Sequence, residues 1–278
     1  MPVSQPAMAF VLELVYRRSA IVIEDGKEYL VESRLAPLAR AEGFESIDDM
    51  IAKLRAQPAH GLHTKVIEAM TTNETSFFRD QSPFEAMKKE ILPALRKARA
   101  SSRRLRIWSA ACSAGQEAYS IAMLLRESNP ELLTWDVRIV GTDLSSAMVS
   151  RAKEGVYNQI EVNRGLPAAL LVKYFERKGV NWQIKQSLRD IFECKQMNLV
   201  DPWPGMPPCD VIFLRNVLIY FDVPTKRVIL SRIRQVLAPD GYLFLGGAET
   251  TIKVDESFER FQVDKAVYYR PGGAGAAK

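Results

Sequence analysis

The stretch RIWSAACSAGQEAYSIAMLL, from Arg106 to Leu125, joins three local patterns that together decide the fold. Ile107 and Trp108 are apolar, as in a short buried strand. The next residues, Ser109 to Gly115, are too small and polar to continue a strand. From Glu117 onward, apolar residues return at helical spacing. A strand, a small-residue loop and a helix form the opening unit of a doubly wound α/β domain, where a ligand can approach the loop backbone.

This loop lacks the residues of the common phosphate-binding loops. A dinucleotide loop has G-x-G-x-x-G and a P-loop ends in Gly-Lys-Ser/Thr. Here Gly115 is the only glycine, and Glu117 stands where a diphosphate would be repelled. A carboxylate suits a cationic ligand, and S-adenosylmethionine carries an ammonium, a sulfonium and no phosphate. Alternatively, Glu117 only supports the N-terminus of the helix, and the pattern leaves both roles open.

Length and composition are those of a folded protein in a reducing compartment. The 278 residues suffice for one large domain or two modest ones, and 47% hydrophobic with 26% charged residues is ordinary. Cys112, Cys194 and Cys209 have no C-x-x-C spacing, which argues against disulfides or a thiolate zinc site. There is no apolar run of about 18 residues, and the N-terminus has no basic region typical of a signal peptide. We therefore expect a cytoplasmic protein without membrane insertion.

The net charge of +5 is concentrated in RKARASSRRLR, the basic run Arg96–Arg106. The favoured interpretation is a solvated helix end and linker, where basic residues complement a helix C-terminus. The other interpretation is a patch that steers an acidic partner toward the site.

Residues 8–70 read as short amphipathic helices without a strand pattern, and Ser46 is a candidate N-cap. We expect three parts: a helical domain over 1–75, a linker helix over 76–104 and an α/β domain over 105–278. His60 and His63 are the only histidines, and a metal site needs more ligands than these two, so no metal is expected.

A second predicted strand, Val137 to Asp143, ends in an acid. In Rossmann-type domains an acid at this strand end accepts hydrogen bonds from ribose hydroxyls, usually about 20 residues after the glycines. Asp143 lies 28 positions beyond Gly115, which a longer helix and loop can absorb. A helix cap is the alternative; the ribose role is favoured.

The C-terminal half continues the α/β pattern. An antiparallel excursion about residues 172–190 precedes a strand that returns to the main sheet, and Asn198 and Leu199 follow it on the ligand side. Asp210 to Leu214 read as a buried central strand. Arg215 and Asn216 come directly after it, at the carboxyl end where open α/β sheets bind ligands.

Four motifs, TTNETSFFRD (71–80), WSAACSAGQEAYSIAM (108–123), GTDLS (141–145) and FLRNVLIYF (213–221), resemble those of the chemoreceptor glutamate O-methyltransferases of bacterial chemotaxis, the CheR family. The resemblance covers nearly the whole chain. It implies a class I methyltransferase fold: a Rossmann-like, mostly parallel seven-stranded sheet with a small all-α N-terminal domain and a small antiparallel β-subdomain. It also implies methyl transfer from S-adenosylmethionine, leaving S-adenosylhomocysteine, to glutamate side chains on the cytoplasmic helices of membrane chemoreceptors.

The same resemblance assigns cofactor binding to positions in these motifs and after the returning strand: Asn73, Thr75, Arg79, Glu117, Asp143, Asn198, Leu199, Arg215 and Asn216. Asp143 would hold the ribose and Glu117 the cationic methionine end. The helical domain would recognise the receptor's methylation region, and the β-subdomain would contact the receptor. The turn RKGVNW looks shorter and less glycine-rich than in members that tether to a receptor's C-terminal pentapeptide, so we do not expect tethering.

The chemistry needs no general base, because a glutamate side chain with a pKa near 4.3 is already a carboxylate at neutral pH. The absence of histidine after His63 fits such a reaction. The candidate catalytic residues are Arg79, which would orient the carboxylate, and Tyr220 as a hydrogen-bond donor. Packing under the sheet is the other interpretation of Tyr220.

Two rival functions remain at this point. A nucleic-acid methyltransferase is suggested by a pI of 9.0 and the basic run, but the run has no interleaved aromatic residues and the chain has no RNA-binding signature. We therefore expect no nucleic-acid partner. A non-catalytic module that senses S-adenosylmethionine is opposed only by the complete set of polar positions.

Overall fold

Four helices with a core of their own form the N-terminal part of the chain. The structure, a computed structural model, describes residues 3–57, 61–203 and 205–273. The helices are α1 (Gln5–Ser19), α2 (Tyr29–Ala41), α3 (Ile47–Ala56) and α4 (Leu62–Ala69). Ser46 caps α3, because its side-chain oxygen accepts a hydrogen bond from Asp49 N. The predicted all-α part is confirmed, and its enclosed apolar side chains include Val11, Val15, Val31, Leu35, Met50, Leu54 and Val66.

A helix with one π turn leads from this part to the sheet. It consists of α5 (Ser82–Ala86), a π turn (Met87–Ile91) and α6 (Leu92–Ala98), which lie within the predicted linker segment 76–104. Leu92 N bonds to Met87 O, five residues back. Pro93 follows, and because it has no N–H to donate, the regular ladder cannot continue through it.

Ten strands form two sheets among the described residues: β1 (Arg104–Ala110), β2 (Asp136–Asp143), β3 (Val156–Tyr157), β4 (Phe175–Lys178), β5 (Asn181–Ile184), β6 (Phe192–Gln196), β7 (Cys209–Leu214), β8 (Leu237–Leu245), β9 (Phe258–Val263) and β10 (Ala266–Pro271). The helices between them are α7 (Gln116–Ser128), α8 (Ser146–Glu154), α9 (Gln159–Asn163), α10 (Ala168–Tyr174), α11 (Gln186–Arg189) and α12 (Val223–Val236). Two 3-10 turns, Pro130–Thr134 and Leu218–Tyr220, complete the elements.

The main sheet has seven strands in the order β6-β2-β1-β7-β8-β10-β9. The strands from β6 to β8 are parallel, and β10 pairs antiparallel with both β8 and β9. This confirms the predicted mostly parallel sheet. β9 carries no clear strand signal in the sequence, because it is an edge strand whose side chains are mostly exposed or half-buried.

The site follows from this topology. β1 pairs with β2 on one side and with β7 on the other, so the chain reverses its winding direction at β1. In open α/β sheets, ligands bind in the crevice beyond the carboxyl ends of the strands at such a point. Alternate residues of β1 face opposite sides, Ile107 in one apolar cluster and Trp108 in the other, which fixes the strand between two buried layers.

A separate three-stranded antiparallel sheet, in the order β3-β5-β4, forms the predicted β-subdomain. It also includes the strand Val156–Tyr157, which lies before the predicted segment 172–190. The sequence does not predict this strand, because two residues show no recognisable period. Its Tyr157 ring packs edge-on against the Phe77 ring, with ring centroids 5.0 Å apart. The Phe175 ring also packs edge-on against Phe77, with ring centroids 5.7 Å apart. The subdomain therefore anchors the TTNETSFFRD segment.

The basic run is paired with acids at the amino ends of the strands. Arg99 Nε lies 2.7 Å from Asp210 Oδ1, and its other nitrogens bond to Asp240. Arg106 pairs with Asp136, the first residue of β2. Arg99 connects the end of the linker helix to the sheet, and Arg106 connects β1 to β2, both at the edge opposite the crevice. This position favours a helix end and linker over a patch that steers partners toward the site.

The histidines form no metal site among the described residues. His60 lies outside the described residues, and His63 is buried in α4. Within the described ranges, no group of three or more histidine, cysteine, aspartate or glutamate side chains is arranged to hold a metal ion. None of the described helices has the length and apolarity needed to cross a membrane.

Candidate active site

A cleft of about 910 Å³, including the part open to solvent, lies at the carboxyl edge of the main sheet. Its lining includes every residue to which the sequence assigns a site role: Asn73, Thr75, Arg79, Glu117, Asp143, Asn198, Leu199, Arg215, Asn216 and Tyr220. The structure thus brings together residues from five separated segments.

The loop after β1 reaches the cleft through an unusual backbone. Ala111, Ser113 and Gly115 all have positive φ, of 55°, 50° and 91°. A Cβ on Gly115 would lie 3.1 Å from the Cβ of Ala152, so only glycine fits here without movement. Non-glycine residues in this region cost free energy and are often found at functional sites. The resulting turn directs Ser113 N toward the end of β2.

Asp143 is held by main-chain donors at the floor of the cleft. It is 6% exposed, and its carboxylate oxygens accept hydrogen bonds from Ser113 N at 2.8 Å and Ser145 N at 2.9 Å. Burial raises the pKa of Asp143 above its ordinary value, and these donors oppose the rise. The N-cap of α8 is Ser145, which accepts from Met148 N. Asp143 is therefore not the cap, and each of its oxygens keeps a lone pair for a ligand hydroxyl.

Glu117 is part of a buried ionic network. Its Oε1 accepts a hydrogen bond from Ser109 Oγ at 2.7 Å, and its Oε2 lies 2.9 Å from Arg215 Nη1. Arg215, with a 2% exposed side chain, also pairs with Asp80 Oδ2 at 2.7 Å. Glu117 thus supports more than its helix N-terminus, since it neutralises a buried guanidinium. Asp80 was not predicted, because no local pattern indicates a partner 135 positions away.

Arg79 and Tyr220 both reach the cleft and stay partly exposed. Arg79 Nη1 donates to Glu74 O at 3.2 Å, and no described carboxylate lies within ion-pair distance of it. Tyr220 ends the turn Leu218–Tyr220, and its main-chain oxygen accepts a hydrogen bond from Val22 N at 2.8 Å. The hydrogen-bonding role of the Tyr220 side chain stays a prediction.

The remaining predicted residues form the walls. The main-chain oxygen of Asn73 accepts a hydrogen bond from Ser113 Oγ at 2.7 Å, which connects the TTNETSFFRD segment to the central loop. Asn198 Nδ2 donates to Arg18 O at 2.8 Å. Leu199 is buried and supplies an apolar surface. Thr75 lines the cleft, with no side-chain role that its contacts define.

The N-terminal helices also contribute to the cleft, which the sequence did not indicate. Ser19, Ile21 and Thr71 line it. From α4, Glu68 Oε1 accepts a hydrogen bond from Ser146 N at 2.9 Å, in the first turn of α8 directly after the Asp143 loop. Small and apolar residues at helix ends carry no chemical signal, so only the folded arrangement reveals them.

A third unpredicted acid, Glu249, organises the loops after β7 and β8. Its carboxylate accepts hydrogen bonds from the N–H groups of Asn216 and Val217 at 2.8 Å, Gly246 at 2.6 Å and Ile219 at 3.3 Å. Asn216 has a positive φ of 57°. A Cβ on Gly246 would lie 2.6 Å from Glu249 Oε2. One carboxylate thus fixes the segment that carries two predicted site residues.

The charges of the cleft suit a phosphate-free nucleoside with a cationic group. The described lining residues include the acids Glu74, Glu117 and Asp143 and no lysine. Arg215 is already paired, so no cationic cluster is available for a diphosphate. Asp143 is placed to accept hydroxyl groups, and Glu117 cancels positive charge of Arg215 near the loop. The donor set therefore fits S-adenosylmethionine.

Cys112 also lines the cleft but is not a nucleophile. Its thiol lies 3.7 Å from that of Cys194, and both side chains are buried. The contact with Cys194, together with burial, raises the pKa of Cys112 well above its usual value. It therefore remains a thiol at neutral pH and serves as packing.

Comparisons with known proteins agree with this geometry. The family model described as "CheR methyltransferase, SAM binding domain" matches residues 73–267. The model described as "CheR methyltransferase, all-alpha domain" matches residues 6–71. Chemotaxis protein methyltransferase 1 of Pseudomonas aeruginosa is 42% identical over 254 residues, which cover 90% of this chain and 92% of the relative. Chemotaxis protein methyltransferase Cher2 of Pseudomonas putida is 40% identical with the same coverage. A chemotaxis protein methyltransferase of Vibrio parahaemolyticus is 37% identical and covers 90% and 91%.

The two matches follow one another along the chain and account for both the helical part and the sheet. The relatives align over nearly their full length, so the likeness is not confined to the cofactor loop. The chain belongs to the CheR methyltransferase family.

Proposed function

We propose that this protein transfers a methyl group from S-adenosylmethionine to glutamate side chains on the cytoplasmic helices of chemoreceptors, forming glutamate methyl esters. The observation that carries the proposal is the cleft itself. It gathers the acids suited to the cofactor and, at the same place, an arginine without an acidic partner. The names of the relatives place them in chemotaxis.

In this proposal, the floor of the cleft holds the cofactor. Asp143 accepts hydrogen bonds from the ribose hydroxyls, and the pair of Glu117 with Arg215 faces the methionine end. Leu199 and Ile21 offer apolar surface, and Asn73, Thr75, Asn198 and Asn216 offer polar groups at the rim. The cofactor, when bound, supplies an electrophilic methyl group on a sulfonium.

The acceptor glutamate enters as a carboxylate and needs no base, since its pKa is far below neutral. Arg79 attracts and orients that carboxylate, and Tyr220 donates a hydrogen bond to it. The remaining work is alignment and removal of water, which together are worth several kcal/mol, on the order of 5. The partial exposure of Arg79 keeps the ion pair weak enough to leave the carboxylate nucleophilic.

The nucleic-acid alternative loses its main support. Arg99 and Arg106 of the basic run pair with acids at the amino edge of the sheet, away from the cleft. We accordingly propose a protein substrate.

The test uses the full chain, tritiated S-adenosylmethionine and a cytoplasmic chemoreceptor fragment. We expect label on the fragment that mild base releases as volatile methanol. Label on nucleic acid would favour the alternative, and cofactor binding without transfer to any receptor fragment would favour a sensing module.

We further propose that receptor recognition does not depend on a C-terminal pentapeptide. The turn between β4 and β5 has only two residues, Gly179 and Val180, which supports a short hairpin with little surface for a tether. Deleting the last five residues of the receptor fragment should leave the methylation rate unchanged. A large loss of rate would contradict this part of the proposal.

A further inference from the structure

A second cavity, of about 840 Å³ including its open part, adjoins the cleft. Arg215 lines both, and its partner Asp80 lines the second. This pair forms the partition between the two cavities. A molecule whose reacting group enters the cleft beside Arg79 therefore passes close to the second cavity.

The acids of the second cavity are already engaged. Asp80 is paired with Arg215, and Glu249 accepts four main-chain hydrogen bonds. Neither is therefore available to neutralise a further cation.

Two cations of the same cavity have no such partner. Arg260 bonds only to Gln262 Oε1, at 3.2 Å, and no described carboxylate lies within ion-pair distance of Arg260 or Lys265. Both side chains are exposed. The cavity therefore offers unpaired positive charge, which attracts an anionic group.

The strand register explains why these cations lie beside the site. β10 runs antiparallel to β8, with Tyr269 opposite Leu243, so the turn before β10 lies at the carboxyl edge of the sheet. Lys265 is in that turn, and Arg260 pairs with Tyr269 on the neighbouring strand. The β9–β10 hairpin thus presents its charges on the same edge as the cleft.

We propose that the second cavity is a subsite for an acidic segment of the protein substrate, in which Arg260 and Lys265 pair with carboxylates that neighbour the acceptor glutamate. The inference rests on the proposed function for the identity of the acceptor. It adds a selection rule: glutamates flanked by further acids about one helical turn away are preferred. On a helix, residues three or four positions apart lie on the same face, so one face can serve both cavities.

The experiment compares the wild type with Lys265→Glu and with Arg260→Glu/Lys265→Glu. We expect the double variant to raise the KM for a chemoreceptor fragment about threefold to tenfold, since exposed pairs are individually weak. The kcat and the affinity for S-adenosylhomocysteine, measured by calorimetry, should stay unchanged. The matched control is Lys97→Glu, an exposed lysine on α6 at the opposite edge, which should leave KM unchanged.

A second arm changes the substrate. Replacing the acids that flank the acceptor with glutamine should raise KM for the wild type and have little further effect on the double variant, because coupled partners are not additive. An unchanged KM for both enzyme variants would overturn the inference. A matching loss of S-adenosylhomocysteine affinity would also overturn it, because the cavity would then belong to the cofactor site.

Direct binding of the fragment, followed without methyl transfer, separates the inference from the proposed function. Binding that weakens in the double variant, with no methyl transfer by the wild type, would keep the subsite and refute the proposed function. Methyl transfer with equal binding by both proteins would do the reverse. A wild type that does not bind the fragment would refute the subsite.

Discussion

Asp143 is the side chain that we propose to accept hydrogen bonds from the ribose of the cofactor. We expect Asp143→Ala to weaken S-adenosylhomocysteine binding at least about tenfold, because hydrogen bonds to a charged group are worth ~1.5–3 kcal/mol. Calorimetry measures this directly. Asp136→Ala is the control, since it removes an acid from the other end of the same strand. Equal affinity of Asp143→Ala and the wild type would remove Asp143 from the site.

Glu249 acts through the backbone that it holds. In Glu249→Gln, one oxygen becomes an amide N–H₂ that cannot accept the bonds from Asn216 and Gly246. We expect kcat for methyl transfer to fall about tenfold, the effect of a few hydrogen bonds left unmade. Asp255→Asn, which alters a carboxylate that accepts Ser257 N, should leave kcat unchanged. A wild-type kcat in Glu249→Gln would show that the loops hold their shape without the charge.

Single residues also mark the boundary of what the sequence reveals. The ten predicted site residues stand in the family's motifs or after predicted strands, and all ten line one cleft, while their roles stay predictions. Asp80, Glu249 and Glu68 act through contacts with residues distant in the sequence, or with main-chain groups. Such contacts leave no period or motif, and a single sequence does not disclose them.

At the scale of the elements, Arg99, which directly follows the helix over residues 82–98, attaches that helix to the sheet. Arg99→Gln leaves the buried Asp210 without its cation, and we expect about 1–3 kcal/mol less stability toward urea at pH 7. Arg96→Gln, which breaks an exposed pair with Glu131, is the control and should change little. Similar midpoints for the wild type and Arg99→Gln would refute this attachment.

A second partner of Arg99, Asp240, predicts a pH dependence. Hydrogen bonding to Arg99 lowers the pKa of Asp240 below its usual 3.8. A lowered carboxyl pKa adds stability above the unfolded value and loses it as the pH falls through the folded value. The difference between the wild type and Arg99→Gln should therefore narrow as the pH falls below about 3.8. Urea titrations at a series of pH values check the direction.

The sequence predicts some strands and helices better than others. β1, β2 and β7 are short apolar runs followed by small or polar residues, and the structure has strands there. β9 and β3 were not assigned, since β9 is exposed and β3 has two residues. The π turn depends on where Pro93 falls in the ladder, a detail that helical spacing does not encode.

At the scale of the whole molecule, the helical part and the sheet share the cofactor cleft. Glu68→Gln should weaken S-adenosylhomocysteine binding about threefold, because a weaker acceptor at Ser146 N loosens the Asp143 loop. Glu42→Gln is the control, because Glu42 pairs with Lys65 inside the helical part and should leave the affinity unchanged. Equal affinities in calorimetry would show that α4 does not support the loop.

The shared cleft has a consequence for how members of this family diverge. If the helices choose the receptor, then a chimera that exchanges them between paralogues also exchanges Ser19, Ile21 and Thr71, and with them part of the cofactor pocket. Such a chimera should therefore also change its affinity for S-adenosylmethionine. Receptor choice and donor affinity are inherited together, and a transplant that keeps these three wall positions should separate them.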